Sequence, residues 1–595
     1  MKSVTIPLAG SYNQRGINGT TSLAVPEDQR FLNCTFRMVK NAITGNNTVY
    51  VEKRPGWVQD SIVAANNSST GVFKTLAING VISAFGSTNS TIYFATQSVG
   101  TITGLAFYFT ETKISGVTHV MIKSSDGTGW FYAADSNDTL TYTADGNNST
   151  TITDIKVGGA NSVSGLYVGQ KLTAASNIAA GSRIVSIDSA AFSAVLDTAT
   201  TGGAFNDLSI TKEPIAKIID ADFVTTGSYI SAFAEMDGYL LYSTSTTAGL
   251  RNSDINSAIS YPASGTLDPN LSPDEPRAIA RQRNAIILFG GSSKEVFTNA
   301  GNAFGSPLQR QPAAFERIGA VNQLAITTIE NDIFFVSSSS EGDVGVYKMS
   351  EYQAERVSTP QIDTIIGTVS ATNGTIYANS FRLGGYKYVG FVLSSASEFN
   401  NEILLENQEI MLLESGDNTL MESNPATTAA FVRFLVYNAD LNIWGEWDTT
   451  KATFIDAVNQ GSNNQIFATS RMETDGKVYA INPALNGEVF TDDGDAYSME
   501  IRTSKTDFGT EARKFISKVS LMGCDIQTTS TATLEYSDDD YGTWTTAGTF
   551  DLTRVNPYIT QLGSFQSGRA WRLTHSAAVP FRAQSLKFDY DVGTH

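Results

Sequence analysis

The sequence predicts an all-β protein, and three observations support that fold class. Short apolar or alternating stretches follow one another closely in 276–349, where residues 284–289 are apolar and end at the pair Gly290-Gly291, and 295–298 alternate. The chain has 50 glycines and many Ser, Thr and Asn residues, which supply turns. No stretch of 276–349 keeps a helical period. Strands joined by tight turns at this spacing are typical of propeller blades and of β-sandwiches.

Length and composition restrict the class of protein further. At 595 residues the chain is too long for one hydrophobic core, so we expect roughly two to four domains. Hydrophobic residues make up 41% and charged residues 17%, as in a folded chain rather than a disordered one. Two cysteines, Cys34 and Cys524, indicate assembly in a reducing compartment without a disulfide framework. The N-terminus does not resemble a signal peptide, and no apolar window approaches a transmembrane length.

Residues 1–115 are predicted to hold an initial segment and the first part of the core. Residues 31–38 alternate, a turn is indicated at 46–47, and 48–53 form a return strand that ends at 55–56, a Pro-Gly pair. Further short strands are predicted over 71–76, 81–85, 91–96 and 105–110. Next, the composition of residues 116–214 shifts to Asp, Asn, Ser, Thr, Ala and Gly, with few aromatic residues after Tyr142, which predicts a separate small β-domain.

Residues 215–500 return to short strands, but an eight-residue repeat interrupts them. It consists of three triplets, each with two apolar residues and a glutamate: Leu404, Leu405, Glu406; Leu412, Leu413, Glu414; and Leu420, Met421, Glu422. Polar turn residues separate the triplets, so we predict short strands in a loop that protrudes over 396–428. Three roles stay open: an exposed decoration, a platform for another protein, or a constriction in a channel. Apolar rings exclude water and carboxylates repel phosphate, which suits the third role.

The end of the chain, 501–595, is predicted to be a β-sandwich-like domain. Its predicted strands are 518–522, 531–536, 569–573 and 586–590.

The charge of the chain bears on its partners. A net charge of −19 disfavours binding of nucleic acid through phosphate neutralisation. It fits either plain solubility or a surface that repels DNA, along which a duplex slides without sticking. A small basic cluster stands out against this background: Arg30, Arg37, Lys53 and Arg54. These side chains either pair with nearby carboxylates or form an electrostatic dock for a partner protein.

Motifs for catalysis are missing from the sequence, so we expect no enzyme, no metal and no cofactor. The three histidines are His119, His575 and His595, and no His-x-x-x-His, Cys-x-x-Cys or Gly-x-x-x-x-Gly-Lys-Ser/Thr spacing occurs. No Gly-x-Ser-x-Gly turn for a nucleophile is present either.

One stretch has an enzyme-like appearance. Residues 537–544 (SDDDYGTW) are similar to the Asp-box turn of sialidase-type propellers, with the glycine one place late, and 125–130 (SDGTGW) are a weaker match. The Asp-box is itself a structural turn in that family. A structural turn, a cation site at Asp538, Asp539 and Asp540, and a sugar contact all stay open.

Several stretches occur in an order that resembles a known family. They are 28–34 (DQRFLNC), 52–56 (EKRPG), 289–297 (FGGSSKEVF), 435–438 (LVYN) and 443–447 (IWGEW). Together they resemble the tail hub or nozzle proteins of short-tailed bacteriophages, which stabilise packaged DNA. The resemblance covers roughly residues 1–110 and 215–500. Residues 167–184 separately resemble small β-domains of phage tail and fibre proteins, so 116–214 are interpreted as an insertion in a surface loop, where insertions are tolerated.

The resemblance implies a fold, partners and a function. It implies a β-propeller core in a homohexamer below the tail adaptor, with tail fibres or spikes as further partners. This structural virion protein, assembled in the host cytoplasm, would extend the portal–adaptor channel, retain packaged DNA and conduct it during ejection, without sequence-specific binding. The basic cluster then becomes a candidate dock for the adaptor, and the repeat a candidate channel gate.

A second class of function stays open. A carbohydrate-active, sialidase-like propeller would need two carboxylates across a sugar, and the sequence singles out no such pair and no arginine trio for an acidic sugar. A receptor-binding fibre is the third reading, which an exposed domain at 116–214 would favour.

Overall fold

The computed structural model describes most of the chain and shows a protein built almost entirely of strands. The described residues are 2–9, 30–40, 47–75, 80–137, 140–223, 232–244, 249–269, 271–272, 274–302, 304–338, 344–371, 375–394, 432–448, 454–460, 465–470, 475–481, 489–524 and 529–593. They contain one α-helix, Pro360–Ala371. The predicted all-β class is confirmed.

Seven blades of antiparallel strands form the core of this described part of the chain. Blade 1 has Ser69–Thr75, Gly80–Phe85, Ser90–Phe94 and Gln97–Ile102; blade 2 has Ala106–Ile114, Val117–Ser124, Gly129–Ala133 and the end of Ala204–Lys217; blade 3 has Ala234–Met236, Tyr239–Ser243, Leu250–Asn252 and Thr266–Leu267; blade 4 has Pro276–Gln282, Ala285–Gly290, Lys294–Asn299 and Leu308–Arg310. Blade 5 has Ile326–Ile329, Asp332–Ser338, Gly345–Ser350 and Gln353–Arg356, with Gly319–Ala320 also paired; blade 6 has Thr375–Leu383, Tyr386–Ser394, Val432–Asn438 and Ile443–Trp447; blade 7 has Phe454–Gln460, Gln465–Ser470, Lys477–Ile481 and Val58–Ile62.

The blades close into a ring. The first strand of each blade lies against the first strand of the next, and Phe454–Gln460 of blade 7 lies against Ser69–Thr75 of blade 1. The last blade is completed from the N-terminal side, because Val58–Ile62 pairs with Lys477–Ile481 in antiparallel register. Such closure leaves only short, protected strand edges, which stabilises a propeller.

Apolar cores lie between successive blades and explain the strand patterns. Ala285–Gly290, the second strand of blade 4, is buried at every position, as expected for a strand covered on both faces. Its Phe289 ring lies 4.9 Å from the ring of Phe335 in blade 5, centroid to centroid. Trp57 and Trp447 belong to the core between blades 6 and 7. Aromatic residues are large enough to fill the space between two twisted sheets.

The ring has two faces, which strand direction defines. The turn between the first and second strands of each blade lies on what we call the front face, and the turn between the second and third strands lies on the back face. The chain enters blade 7 at Val58 and leaves it at Ile481, and both ends are at the front, because Val58 pairs with Ala480. The C-terminal part of the chain is thus connected to the propeller from the front.

A small β-unit is inserted between the third and fourth strands of blade 2, on the front face. Its strands are Tyr142–Asn147, Thr151–Val157, Ala160–Asn161, Gln170–Ala174, Ile184–Asp188, Ser193–Leu196 and the start of Ala204–Lys217, and it has a separate core. Val117–Ser124 and Gly129–Ala133 pair within blade 2, so sheet pairing crosses the predicted start of the insertion at residue 116. The division of the chain into domains stays a prediction.

A β-sandwich adjoins blade 6 and includes both ends of the chain. One sheet holds Lys2–Pro7, Ser585–Val592, Lys514–Met522, Tyr558–Thr560 and Ser564–Phe565. The other holds Met499–Arg502, Ala570–His575, Thr531–Ser537 and Thr545–Asp551, and it continues through Arg30–Leu32 into Ile443–Trp447 of blade 6. Two smaller pairings complete the fold, one of Cys34–Lys40, Asn47–Lys53 and Arg582–Ala583, and one of Thr491–Asp492 with Asp495–Ala496.

Two elements differ from the sequence predictions. The strand predicted over 31–38 is divided at Asn33, whose φ of 56° lies in the left-handed region that asparagine tolerates. The helix Pro360–Ala371 was not predicted. Its signals were present, however: a proline at the first helical position, and buried apolar residues spaced three or four apart at 362, 365, 366 and 369.

Candidate functional site

The predicted gate residues lie outside the described residues, but their place of attachment is defined. Leu404, Leu405, Glu406, Leu412, Leu413, Glu414, Leu420, Met421 and Glu422 all fall within the undescribed range 395–431. That range connects Ser394 and Val432, which are paired neighbours in the second and third strands of blade 6. The connection therefore leaves from the back face, opposite to the insertion in blade 2.

The predicted basic cluster is divided by the fold into separate environments. Arg54 is fully buried, and its guanidinium holds both carboxylate oxygens of Asp492, with Nη1–Oδ1 at 2.9 Å and Nη2–Oδ2 at 2.6 Å. Arg54 also donates to Asn33 Oδ1 and to the backbone oxygen of Asp448, at 3.0 and 2.7 Å. Burial alone would lower the pKa of Arg54, but the charge of Asp492 and its hydrogen bonds raise it overall. Arg54 is therefore a permanent cation inside the protein.

This buried pair lies where the N-terminal segment meets the segment before the sandwich. Asp492 also accepts a hydrogen bond from the backbone nitrogen of Trp57 at 3.1 Å, and the Arg54 guanidinium lies 4.0 Å from the ring centroid of Tyr497. The two backbones approach so closely that a Cβ added to Gly56 would lie 1.9 Å from the oxygen of Thr491. Glycine is required at this contact because any side chain would collide with backbone.

Lys53, the residue before Arg54, is also buried. Its Nζ donates to the backbone oxygen of Ala577 at 2.7 Å and lies 4.5 Å from the Tyr497 ring centroid. Burial, followed by repulsion from Arg54, lowers the pKa of Lys53 to about 8. Its ammonium is thus bound within the chain.

Arg30 belongs to a row of ion pairs that crosses the sheet shared by blade 6 and the sandwich. Glu446 of blade 6 accepts from Arg30 Nε at 3.1 Å and from Arg433 Nε at 2.9 Å. Burial tends to raise the pKa of Glu446, but the two arginines lower it overall. On the sandwich side Arg572 donates to Glu535 at 2.6 Å, and Arg502 pairs with Glu500 at 2.7 Å. Arg30 is therefore paired with a nearby carboxylate in the structure.

Arg37 is the exposed member of the basic cluster. Its side chain is 59% exposed and lies 3.8 Å from Glu52 on the neighbouring strand, a distance that gives a weak surface pair. It lines a groove of about 270 Å³ between the hairpin 34–53, the front turn of blade 6 and residues 580–582. The docking role of the cluster stays a prediction, and Arg37 is the cluster member that offers an exposed charge.

The Asp-box-like stretch forms a structural turn. Asp539 accepts hydrogen bonds from Ser537 Oγ at 2.8 Å and from the nitrogen of Thr543 at 2.9 Å. Asp538 instead accepts hydrogen bonds from Arg569 with both oxygens, each at 2.7 Å, so the carboxylates of Asp538 and Asp539 have different partners. The weaker match is built alike, since Asp126 accepts from the nitrogen of Thr128 at 2.9 Å.

The described residues show no arrangement typical of a hydrolase. No group of three or more His, Cys, Asp or Glu side chains within them could hold a metal ion. His575 Nε2 lies 2.9 Å from Ser530 Oγ, but the ring stacks on Phe581 and is buried. Burial, followed by the charge of Lys53, lowers the pKa of His575 to about 4, so the imidazole is neutral near pH 7. In the same described part, no helix is long and apolar enough to cross a membrane.

The centre of the ring holds a cavity of about 860 Å³. The first strands of six blades contribute to its wall: Phe73, Thr110, Ala234, Ile279, Thr327 and Tyr377. Arg281 and Glu235 form an ion pair on this wall. A mixed wall with its charges paired gives no sign of a particular ligand.

These observations define the class of protein, a seven-bladed β-propeller with an attached β-sandwich. Residues 168–385 match a family model described as Phage_stabilise: Bacteriophage P22 Gp10, beta-propeller. The match covers part of the inserted unit, the fourth strand of blade 2, blades 3 to 5 and the beginning of blade 6. The predicted resemblance to the tail proteins of short-tailed phages, and the predicted propeller, are thereby confirmed.

Other comparisons add little. No curated protein matches the chain. Among solved structures, it is similar to the crystal structure of Chaetomium thermophilum Raptor, with 10% identity and a TM-score of 0.33. The likeness covers 72% of this chain and 29% of that one.

Sequence reasoning missed the partners that divide the basic cluster. Asp492 and Tyr497 lie more than 400 positions from Arg54, and only the fold brings them together. Arg582, which lines the groove beside Arg37, was missed for the same reason.

Proposed function

We propose that the chain is the tail nozzle, or hub, of a short-tailed phage. The observation that carries this proposal is the match of residues 168–385 to the phage-stabilisation propeller. In this role the protein extends the portal–adaptor channel, retains packaged DNA and conducts it during ejection. Its place is the virion tail, after assembly in the host cytoplasm, and its role is structural rather than enzymatic.

A ring of identical copies suits this role, and we propose a homohexamer. Six copies at −19 each give a formal charge of −114. Carboxylates that face a channel repel phosphates, so a duplex passes along the wall without sequence-specific binding. The tail adaptor and the tail fibres or spikes are the proposed partners.

The two faces of the propeller support separate roles for its two predicted sites. The segment 396–428, with Leu404 to Glu422, is attached at the back face through Ser394 and Val432. Between residues 395 and 431 it has seven acidic residues and no Lys or Arg, at 398, 402, 406, 409, 414, 417 and 422. We propose that it constricts the channel, while the surface around Arg37 at the front contacts the adaptor.

The experiment that tests this function measures DNA retention. DNA-filled capsids that carry the adaptor, but lack this protein, are incubated with the purified chain and then treated with nuclease. The proposal predicts that the protected fraction of DNA rises with added chain. A variant in which a short Gly/Ser linker replaces 396–428 should bind the capsids but protect less DNA. Equal leakage with and without the chain would contradict the proposal.

A further inference from the structure

The groove beside Arg37 is built differently from the rest of this acidic surface. Its charged lining consists of two cations at the rim, Arg37 and Arg582, one carboxylate, Glu52, and the buried Lys53, whose ammonium is already bound to the backbone oxygen of Ala577. The chain as a whole has 59 acidic and 40 basic residues, so a local excess of cations runs against the composition. Arg582 packs on the ring of Tyr50, with its guanidinium carbon 5.1 Å from the ring centroid. That contact orients the guanidinium.

Apolar residues form part of the groove lining, and we call this part its floor. They are Phe36, Leu383, Phe490, Pro580 and Phe581, of which Phe36, Phe490 and Phe581 are at most 5% exposed. A volume of about 270 Å³ lies just below the roughly 300 Å³ at which pockets for whole small molecules begin. The groove therefore suits one or two side chains of a peptide better than a complete cofactor.

The hairpin edge that borders the groove is fixed in place. The hydroxyl of Tyr388 accepts from the nitrogen of Phe36 at 3.2 Å, and that of Tyr386 accepts from the nitrogen of Met38 at 2.8 Å. These contacts tie the first strand of the hairpin to the front turn of blade 6. Since its walls are held by hydrogen bonds, the groove is preorganised, which lowers the entropic cost of binding.

From these features we propose that the groove binds an acidic segment of a partner protein, with one apolar or aromatic side chain on the floor and flanking carboxylates at Arg37 and Arg582. Charge complementarity selects this occupant over a neutral or basic one, because cations outnumber carboxylates at the rim. The inference rests on the proposed function, in which the front face contacts another tail protein. It adds the chemistry by which that contact is made.

The test uses the full chain and two fluorescent peptides. One is a six-residue peptide of aspartate and glutamate around a single phenylalanine, and the other has asparagine and glutamine in place of the acids. Fluorescence anisotropy is read at low salt and at about 0.5 M salt, where screening shortens the reach of charges to a few ångströms. Only the acidic peptide should bind saturably, and its affinity should fall at the higher salt concentration.

Matched charge reversals on one strand locate the binding site. Arg37→Glu should weaken binding of the acidic peptide by about tenfold, as expected for reversal of a contacting charge. Lys40→Glu, on the same strand, exposed and outside the groove, should change it by less than about twofold, as expected for a rim charge with no contact. Equal effects of the two variants, equal binding of both peptides, or no saturable binding would overturn the proposal.

This result can be separated from the fate of the proposed function. A chain that retains DNA in capsids but ignores the acidic peptide would overturn only the groove. A chain that binds the peptide through Arg37 but does not protect DNA would overturn the nozzle role and leave the groove standing.

Discussion

Removal of the buried Arg54 side chain should destabilise the contact between the propeller and the segment before the sandwich. In Arg54→Met, the Asp492 carboxyl group loses the cation paired with it at a site where both side chains are 0% exposed, and it loses two hydrogen bonds of 2.9 and 2.6 Å. Leaving one partner of a buried ion pair uncompensated costs about 3–5 kcal/mol. The remaining acceptor contact, from the nitrogen of Trp57, cannot replace a bidentate guanidinium.

A double-mutant cycle separates loss of the pair from loss of packing. Arg54→Met, Asp492→Leu and the double variant are unfolded in guanidinium chloride while tryptophan fluorescence is recorded. The double variant should recover at least about 2 kcal/mol relative to the sum of the single variants, because no charge is then left unpaired. Arg54→Lys should remain destabilised, since an ammonium lacks the planar fork. Additive single effects, or a cost of Arg54→Met below about 1 kcal/mol, would contradict this prediction.

Three further predictions concern other contacts. Glu446→Gln should cost about 2 kcal/mol of unfolding free energy, because Arg30 and Arg433 lose a shared carboxylate at 12% side-chain exposure. His575 has a folded pKa of about 4 against an unfolded value of 6.5, so stability should fall by up to about 3 kcal/mol as pH drops from 6.5 towards 4. Trp57→Ala should cost about 4 kcal/mol, because it empties the core between blades 6 and 7.

Each of these predictions has a control. In every case the free energy of unfolding is obtained from the midpoint and slope of a denaturation curve. For the first, Glu351→Gln removes a carboxylate that is 78% exposed and should change stability little. For the second, His575→Gln should flatten the acid slope between pH 6.5 and 4, and an unchanged slope would contradict the assignment. For the third, Phe304→Ala truncates a side chain that is 94% exposed and should change stability by less than about 0.5 kcal/mol.

The all-β architecture could be predicted from the sequence because local residue patterns indicate its strands and turns. Short strands such as Ala285–Gly290 and Tyr386–Ser394 are bounded by glycines and polar turns, so both their existence and their type could be predicted. The closure of the ring was not predicted, because Val58–Ile62 and Lys477–Ile481 are far apart in sequence and neither segment encodes its partner. The break at Asn33 was missed because it depends on contacts with Arg54 and Asp448.

The candidate site was harder to predict than the fold, because its contacts also join residues that are far apart in sequence. Four basic residues that are close in sequence do not form one cluster in the structure, because backbone direction and burial decide where each charge lies. Arg54 forms an ion pair with Asp492, and Arg30 forms one with Glu446. Of these residues, Arg37 has the most exposed charge. Carboxylates from distant strands decide such outcomes, and local patterns do not contain them.

The nozzle role is best tested by negative-stain imaging of the purified chain, alone and mixed with tail adaptor complexes. A hexameric nozzle should give six-fold rings, or new density below the adaptor whose copies contain the seven-bladed ring. Arg37→Glu should reduce that density, while Lys40→Glu should not. Monodisperse monomers that ignore the adaptor would contradict the nozzle role.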